Sequence, residues 1–197
     1  MAITMRLLLI NSKLYLLLAL ICFSSVSYAN ITSVGSITEQ KGDNAQIKRD
    51  GDELVATKGV GISMNDEIST AKTKLGLTFV DDTKVSVTEQ SVLVIDDFIY
   101  DANSGTGKLA MNIALGTVRY SSGAIARNSR ENVTLTTPTA SISVRGTDFT
   151  MTVDELGRSL VILLPTCPST GDCWTGEIMV STDVGMVILN QAFQATL

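Results

Sequence analysis

Histidine is absent from the 197 residues of this chain. Its absence removes the usual general base, every Ser-His-Asp or Cys-His arrangement and the commonest metal ligand. Two aspartate pairs remain, Asp81–Asp82 and Asp96–Asp97, but adjacent strand residues face opposite ways and do not converge on a substrate. Glycine-rich phosphate loops and EF-hands are missing as well. We therefore expect a non-enzyme without a cofactor or metal, and a hydrolase whose site leaves no motif is the weaker alternative.

Aromatic residues and proline are scarce, with aromatics at 5% and only three prolines. The core must then be filled by Val, Ile, Leu and Met, and the segments rich in Val, Ile and Thr favour strands over helices. From Ile31 onward short alternating segments recur between turn signals, and no apolar stripe is long enough to predict a helix with assurance. This pattern predicts an all-β domain, either a β-roll or solenoid-like fold or a sandwich. The predicted strands are 33–40, 45–49, 53–56, 75–80, 84–88, 92–100, 109–115, 117–121, 133–137, 141–145, 149–153, 159–164 and 184–189.

Residues 1–29 have the order of a signal peptide. Arg6 and Lys13 precede the apolar run 14–23, and small residues end in Ser27-Tyr28-Ala29. Ten apolar residues rise only about 15 Å as a helix, against a hydrocarbon core of roughly 30 Å, so the run cannot span a membrane alone. We expect cleavage after Ala29, a periplasmic or secreted protein, and no stable membrane span afterwards. A retained anchor is the alternative.

Charge argues against nucleic acid as a partner. Removing residues 1–29 takes away two of the fifteen basic residues and none of the twenty acidic ones, which leaves a net charge of −7. Phosphate binding needs a basic face. The two short basic stretches, Lys48–Arg49 and 127–130, are interpreted as solvated loops.

Two local patterns carry specific predictions. Asp50-Gly51 between the segments 45–48 and 53–56 predicts a hairpin, because this pair tolerates the positive φ values of a tight primed turn. Cys167 and Cys173 enclose the turn formers Pro168 and Gly171, and an even cysteine pair in an exported chain predicts a disulfide. We expect that bridge on a C-terminal hairpin extension, residues 156–197, which carries the only tryptophan.

The segment 132–149 (NVTLTTPTASISVRGTDF) contains a recognisable motif. It resembles the end of a FecR-type domain, whose hallmark is the run TP-x-A-x-x-x-V-R-G-T-x-F. The motif residues, interpreted as structural, are Pro138, Val144, Arg145, Gly146, Thr147 and Phe149.

Earlier segments resemble the same family in the same order. They are 34–37, 59–70, 71–87 and 115–118. Asn65 and Asp82 stand where the family usually has glycine. The resemblance covers about residues 31–153 and places the predicted FecR-like domain at residues 30–155.

The resemblance implies an exported β-domain that contacts a protein or another envelope component. Sensor members of the family resemble a three-part design, with a cytoplasmic anti-sigma segment, one membrane span and this domain in the periplasm reading an outer-membrane transporter. With a signal peptide at residue 1, we expect this chain to lack the anti-sigma segment. The fold alone does not fix the function.

The motif also has a physical interpretation. Pro138 cannot donate to a ladder and is expected at a strand end or edge. Gly146 is expected to permit a bend, a bulge or a close backbone approach. A bulge there would let Arg145 pair with Asp148; the functional alternative makes Arg145 a contact for an anionic ligand.

Two function classes remain open from the sequence. The first is an exported interaction or scaffold module. The second is a structural subunit of a larger extracellular or phage assembly, and a signalling accessory to an outer-membrane transporter is a further alternative. The oligomeric state and the identity of the partner are not set by any motif.

Overall fold

The computed structural model describes residues 33–197 apart from Ser169 and the side chain of Arg130. The predicted signal peptide, residues 1–29, lies outside the described residues. The described chain is an all-β domain of sixteen strands in two sheets. Within it, no helix is both long and apolar enough to cross a bilayer.

The two sheets share one long strand, β9 (Thr106–Ser121). The first sheet, sheet A, has the spatial order β4 (Gly61–Ile62), β1 (Gly35–Lys41), β6 (Lys74–Phe79), β7 (Lys84–Val87), the second half of β9, β12 (Asp148–Val153), β13 (Ser159–Leu164) and β16 (Ala195–Thr196). The second sheet, sheet B, has the order β3 (Asp52–Val55), β2 (Ala45–Arg49), β5 (Glu67–Thr70), β8 (Ser91–Asp101), the first half of β9, β10 (Val133–Thr136), β11 (Ser141–Arg145), β14 (Glu177–Thr182) and β15 (Gly185–Leu189). The pairing of β9 with β10 is parallel and the others are antiparallel.

Gly116 allows β9 to pass from one sheet to the other. Its φ is +89°, and a Cβ there would lie 2.6 Å from the Cα of Ser91. Only glycine combines that backbone conformation with so close an approach. The sequence predicts two strands here, at 109–115 and 117–121, where the structure has one bent strand.

The inward faces of both sheets form one core. The alternating burial of strands such as β6 and β11 follows the period of two predicted for half-buried strands. Phe79 of sheet A stacks on Phe98 of sheet B with ring centroids 5.4 Å apart, and Tyr120 packs on Phe149 at 5.2 Å. The predicted all-β fold is therefore confirmed, with the inward faces of the two sheets packed in a single core.

The predicted Asp50-Gly51 hairpin is present, with β2 and β3 in register and φ values of +51° and +93° at the two turn residues. The structure adds three strands that the alternation did not reveal, β4, β5 and β14, as well as β16 at the C terminus. It also adds a five-residue helix, α1 (Ala124–Asn128), and a 3-10 turn at Arg130–Asn132. Apart from β14, which has six residues, these elements are too short to show a hydrophobic period.

The C-terminal residues are part of both sheets. β13 pairs with β12, and β14 pairs with β11, so the sheets continue across residue 156. β14 and β15 do form a hairpin around Asp183–Val184. The disulfide lies outside this hairpin, in the connection from β13 to β14. That connection leads from sheet A to sheet B.

Candidate protein-interaction surface

The FecR-like motif joins the two sheets. β11 lies in the interior of sheet B and β12 in the interior of sheet A, with Gly146 and Thr147 between them. Val144 and Phe149 are fully buried, whereas Arg145 is exposed. Pro138 follows β10 in a tight turn closed by the bond from the amide of Thr137 to the carbonyl of Ala140, at 2.9 Å. These motif residues thus lie in the core or in a turn, apart from Arg145.

Gly146 bends the chain between the sheets. Its φ is +53°, and an added Cβ would meet no atom within 4 Å. The sequence predicts a bend, a bulge or a close backbone approach at this glycine. The structure shows the bend and does not show a close backbone approach. The constraint at this position is conformational rather than steric.

Asp148 pairs with residues other than Arg145. Its carboxylate accepts hydrogen bonds from Ser121 Oγ at 2.7 Å and Thr166 Oγ1 at 3.1 Å, and Arg119 Nη2 lies 3.5 Å away. Its partners come from β9, in the same sheet, and from the segment that follows β13. Arg145 instead lines a shallow surface depression with Arg127 and Glu177.

Arg49 and Asp66 form an ion pair that the sequence interpretation missed. Arg49 Nε and Nη2 donate to the two carboxylate oxygens of Asp66 at 2.7 Å each, and Asp66 is fully buried. The same carboxylate accepts the amide of Ser63 at 2.8 Å. The interpretation of Lys48–Arg49 as a solvated loop is wrong for Arg49, because it ends β2 and turns its guanidinium inward. The hydrogen bond to Asp66 raises the pKa of Arg49, against the lowering effect of burial.

The two departures from the family glycines have a structural reason. Asn65 has φ +64° and Asp82 has φ +65°, both in the left-handed region. Asn and Asp are the non-glycine residues that enter this region most readily. Both positions thus adopt a conformation that glycine favours.

The two aspartate pairs lie in a turn and at a bulge. Asp81 is buried and accepts hydrogen bonds from the amide and hydroxyl of Thr83, at 3.0 and 2.8 Å, as expected for an Asx turn. Asp97 pairs with Lys108 at 2.9 Å, while Asp96 sits at a bulge in β8. Burial raises the pKa of Asp96. Among residues 33–197 as described, no group of three His, Cys, Asp or Glu side chains could hold a metal.

The strand at one end of sheet B is an unprotected edge. Proteins blunt sheet edges with short strands, charged side chains or proline. Of the four end strands in the described chain, β4 and β16 have two residues each and β3 carries Asp52 and Glu53. β15 has five residues, GMVIL, and none of these devices.

The exposed apolar residues of β15 define a candidate binding surface, which we call the β15 edge: Met186, Val187 and Ile188. They are exposed by 64%, 39% and 46%. A cavity of about 810 Å³ adjoins them where the turns around Thr139, Asp154 and Asp183 meet. Its lining is mainly apolar and includes Leu160, Val180, Val184 and Leu197. An exposed apolar patch beside a cavity is typical of an interaction site.

The sequence predicts a strand at 184–189 but not that it lies at an edge. The signal that was available is the run Met186–Leu189, which is apolar without alternation and holds no charge. Such a run predicts a strand buried on both faces. Finding that run at an exposed edge is what marks it as a binding surface.

Comparisons with known proteins bear on the family. The family model described as FecR protein matches residues 66–164, half of the chain. A solved structure of a candidate anti-sigma factor from Parabacteroides distasonis is similar at 17% identity, with a TM-score of 0.39. The similarity covers 65% of this chain and 61% of that one, so the chain spans less than two thirds of the length of that structure. No curated protein matches.

Proposed function

We propose, from the premise that this chain belongs to the FecR family, that it is an exported, non-catalytic protein-interaction module of the cell envelope. The observation that carries the proposal is the β15 edge, an uncharged five-residue strand with exposed apolar side chains beside a cavity. Unpaired edge groups and apolar side chains together suit the addition of a strand from another chain.

The chemistry of the described residues supports the non-catalytic part of the proposal. A catalytic pair needs a nucleophile or acid and a base within hydrogen-bond reach, and the sequence holds no histidine. The most buried acids are engaged in structure: Asp66 binds Arg49, and Asp81 binds Thr83 and the amide of Ile125. These carboxylates hold turns in place.

The Cys167–Cys173 disulfide supports export, since such bonds persist in oxidising compartments. The signal peptide predicted at residues 1–29 is the matching sequence feature. Sequencing of the exported protein from its N terminus is expected to begin at Asn30. Recovery of the chain with Met1 in a membrane fraction would mean that the segment is retained.

Site-specific photo-crosslinking in cells tests the β15 edge. A photoreactive amino acid at Met186 is expected to give a discrete protein adduct. Val55 on β3, at the opposite end of sheet B, is the matched control because it is exposed by 67% against 64% for Met186. Adducts of equal yield at both positions, or at neither, would overturn the proposal.

Within this class we favour an accessory role in envelope signalling. Regulation is the role that the FecR family implies, and sensor members of the family read an outer-membrane transporter. The second candidate, a structural subunit of a larger assembly, is favoured by the same open edge, because a strand edge can also pair with another copy. The size of the Met186 adducts separates the two, since an open assembly gives adducts of three or more copies, whereas an accessory module gives adducts with another protein or a closed pair.

A further inference from the structure

We infer that the β15 edge pairs with the β15 edge of a second copy, which gives a two-fold symmetric dimer with a continuous sheet B. The inference rests on the proposed function and names the partner at that surface. It follows from the order of the side chains along β15 and from the register in which two such strands can meet.

Antiparallel pairing allows few registers. In an antiparallel pair, residues directly opposite each other point to the same face of the sheet. Two copies of β15 paired in this way are related by a two-fold axis perpendicular to the sheet, and the cores of both copies lie on the same side of it. The register centred on Val187 sets Val187 against its own symmetry mate and uses all five residues of β15. It sets Met186 opposite Ile188 of the other copy, twice.

The pairs in this register are compatible. Met186 and Ile188 lie on the outer face of the sheet, next to Ser181 and Met179 of β14 in the observed ladder. Pairing would cover both side chains of each copy with apolar partners, which stabilises an antiparallel ladder. Beyond the strand, Asp183 would face Gln191, so no like charges meet.

The other end strands are poorer candidates for self-pairing. Two copies of β3 paired over all four residues would place Glu53 diagonally across from Asp52 of the other copy, twice, and β4 and β16 offer two residues each. Diagonal neighbours on one face of a ladder lie within reach of each other, so these like charges disfavour the pairing. The choice of β15 is therefore set by charge and length together.

The expected dimer is weak. A five-residue edge buries less than a standard interface of about 1,600 Å², so we expect dissociation in the micromolar range or above. The measurement is sedimentation velocity of the exported, processed protein from about 1 to 200 µM, a range that brackets such an affinity. The fraction of dimer is expected to rise across this range.

Two lysine variants test the surface. Met186→Lys places charges opposite Ile188 twice in the dimer and is expected to weaken association at least tenfold. Val55→Lys, on an equally exposed apolar residue of β3, is expected to leave association unchanged. Both side chains are mostly exposed, so neither change needs to alter the fold, and circular dichroism checks that it does not.

Cysteine crosslinking tests the register. In the proposed dimer Val187→Cys meets its own symmetry mate, so a short bis-maleimide is expected to give a covalent dimer. Val184→Cys is the control: at 92% exposure it is more reactive, but it lies six positions from its mate, about 20 Å along an antiparallel pair. Crosslinking at Val187 without crosslinking at Val184 supports the inference, and equal yields at both or none at Val187 overturn it.

The outcomes also separate this inference from the proposed function. A protein that stays monomeric to 200 µM, yet gives a Met186 adduct with a different protein in cells, refutes self-pairing and leaves the interaction module standing. A monomer without any adduct at Met186 refutes both.

Discussion

Arg49 and Asp66 lie seventeen residues apart and meet as a bidentate ion pair, with both N–O distances at 2.7 Å. Arg49 ends β2, and Asp66 precedes β5, the neighbour of β2 in sheet B. Arg49 also donates to the carbonyl of Gly61 at 2.9 Å. One guanidinium thus holds the β2 end, the β4 strand and the turn before β5 together.

Replacing Arg49 tests how much this ion pair contributes to the free energy of unfolding. Arg49→Met keeps much of the side-chain length but leaves the buried carboxylate of Asp66 with only the amide of Ser63. We expect the free energy of unfolding to fall by about 2–4 kcal/mol, somewhat less than the roughly 3–5 kcal/mol of fully buried pairs that lose one partner, because the Arg49 side chain is 16% exposed. Urea denaturation measures it.

Lys48→Met is the matched control, because Lys48 is the exposed neighbour of Arg49 on the same strand. We expect a change within about 0.5 kcal/mol. Equal losses for the two variants would mean that the pair contributes no more than a surface charge.

The fold class could be predicted because most strands are long enough to show their period. β6 and β11 alternate in sequence as they do in burial. β5, with the sequence EIST, has a single buried apolar residue, Ile68. Four residues with one apolar position carry no readable alternation, so β5 was missed although it lies in the interior of sheet B.

Partners distant in sequence could not be predicted. In a hairpin the guanidinium of Arg49 could equally face water, and the sequence does not show that the carboxylate of Asp66 lies next to it. The β15 edge was missed for a related reason, because edge position is decided by which strands pair. Asn65 and Asp82 illustrate the converse: their departure from the family glycines was visible in the sequence, and their positive φ values explain it.

Gly146 and Gly176 are expected to differ in which substitutions they tolerate. Gly146 needs a positive φ but has open space, so Gly146→Asn should cost little and Gly146→Val about 1–3 kcal/mol through backbone strain. At Gly176 the obstacle is steric, since a Cβ would meet the carbonyl oxygens of Arg145 and Gly146. Gly176→Ala should therefore cost more than Gly146→Ala.

Thermal unfolding of these four variants measures the contrast. The proposed distinction between a conformational and a steric constraint is wrong if Gly146→Asn is as damaging as Gly146→Val. It is equally wrong if Gly176→Ala unfolds at the temperature of the unmodified protein.

Tyr120 is expected to titrate only when the protein unfolds. Burial raises the pKa of its hydroxyl far above the ordinary value, so the fold favours the neutral form. Below about pH 10 the tyrosine is neutral in the unfolded chain too, so burial of its neutral hydroxyl carries no pH-dependent penalty. As the pH rises above that value the unfolded chain ionises first, and the free energy of unfolding falls. Of the four tyrosines, Tyr100 and Tyr120 follow residue 29.

Alkaline titration of the processed protein, followed by tyrosinate absorbance, checks this expectation. The ionisation of Tyr120 should accompany loss of the β-sheet signal in circular dichroism. Tyr100→Phe should leave that step in place, because it leaves Tyr120 as the single tyrosine of the processed protein. Reversible tyrosine ionisation in this variant while the β-sheet signal persists would contradict the expectation.

The Cys167–Cys173 bond closes a short loop, and its effect is expected to be local. The two residues are six apart, so the unfolded chain loses little entropy and the bond contributes about 2 kcal/mol. Next to it, Thr166 and Trp174 exchange backbone hydrogen bonds of 2.8 and 3.0 Å. Replacing both cysteines by Ser should therefore release Trp174, the only tryptophan, while both sheets still unfold in one transition.

Acrylamide quenching of Trp174 fluorescence measures the local change, because a looser loop exposes more of a side chain that is already half exposed. Urea unfolding followed by circular dichroism measures the global one. We expect quenching to increase while the unfolding transition stays single and shifts by no more than about 2 kcal/mol, since the bond spans one connection and neither sheet core. Loss of the whole β signal in the double Ser variant would show that the bond holds β13 against β14 globally. Two titratable thiols in the native exported protein would show that the bond is not formed.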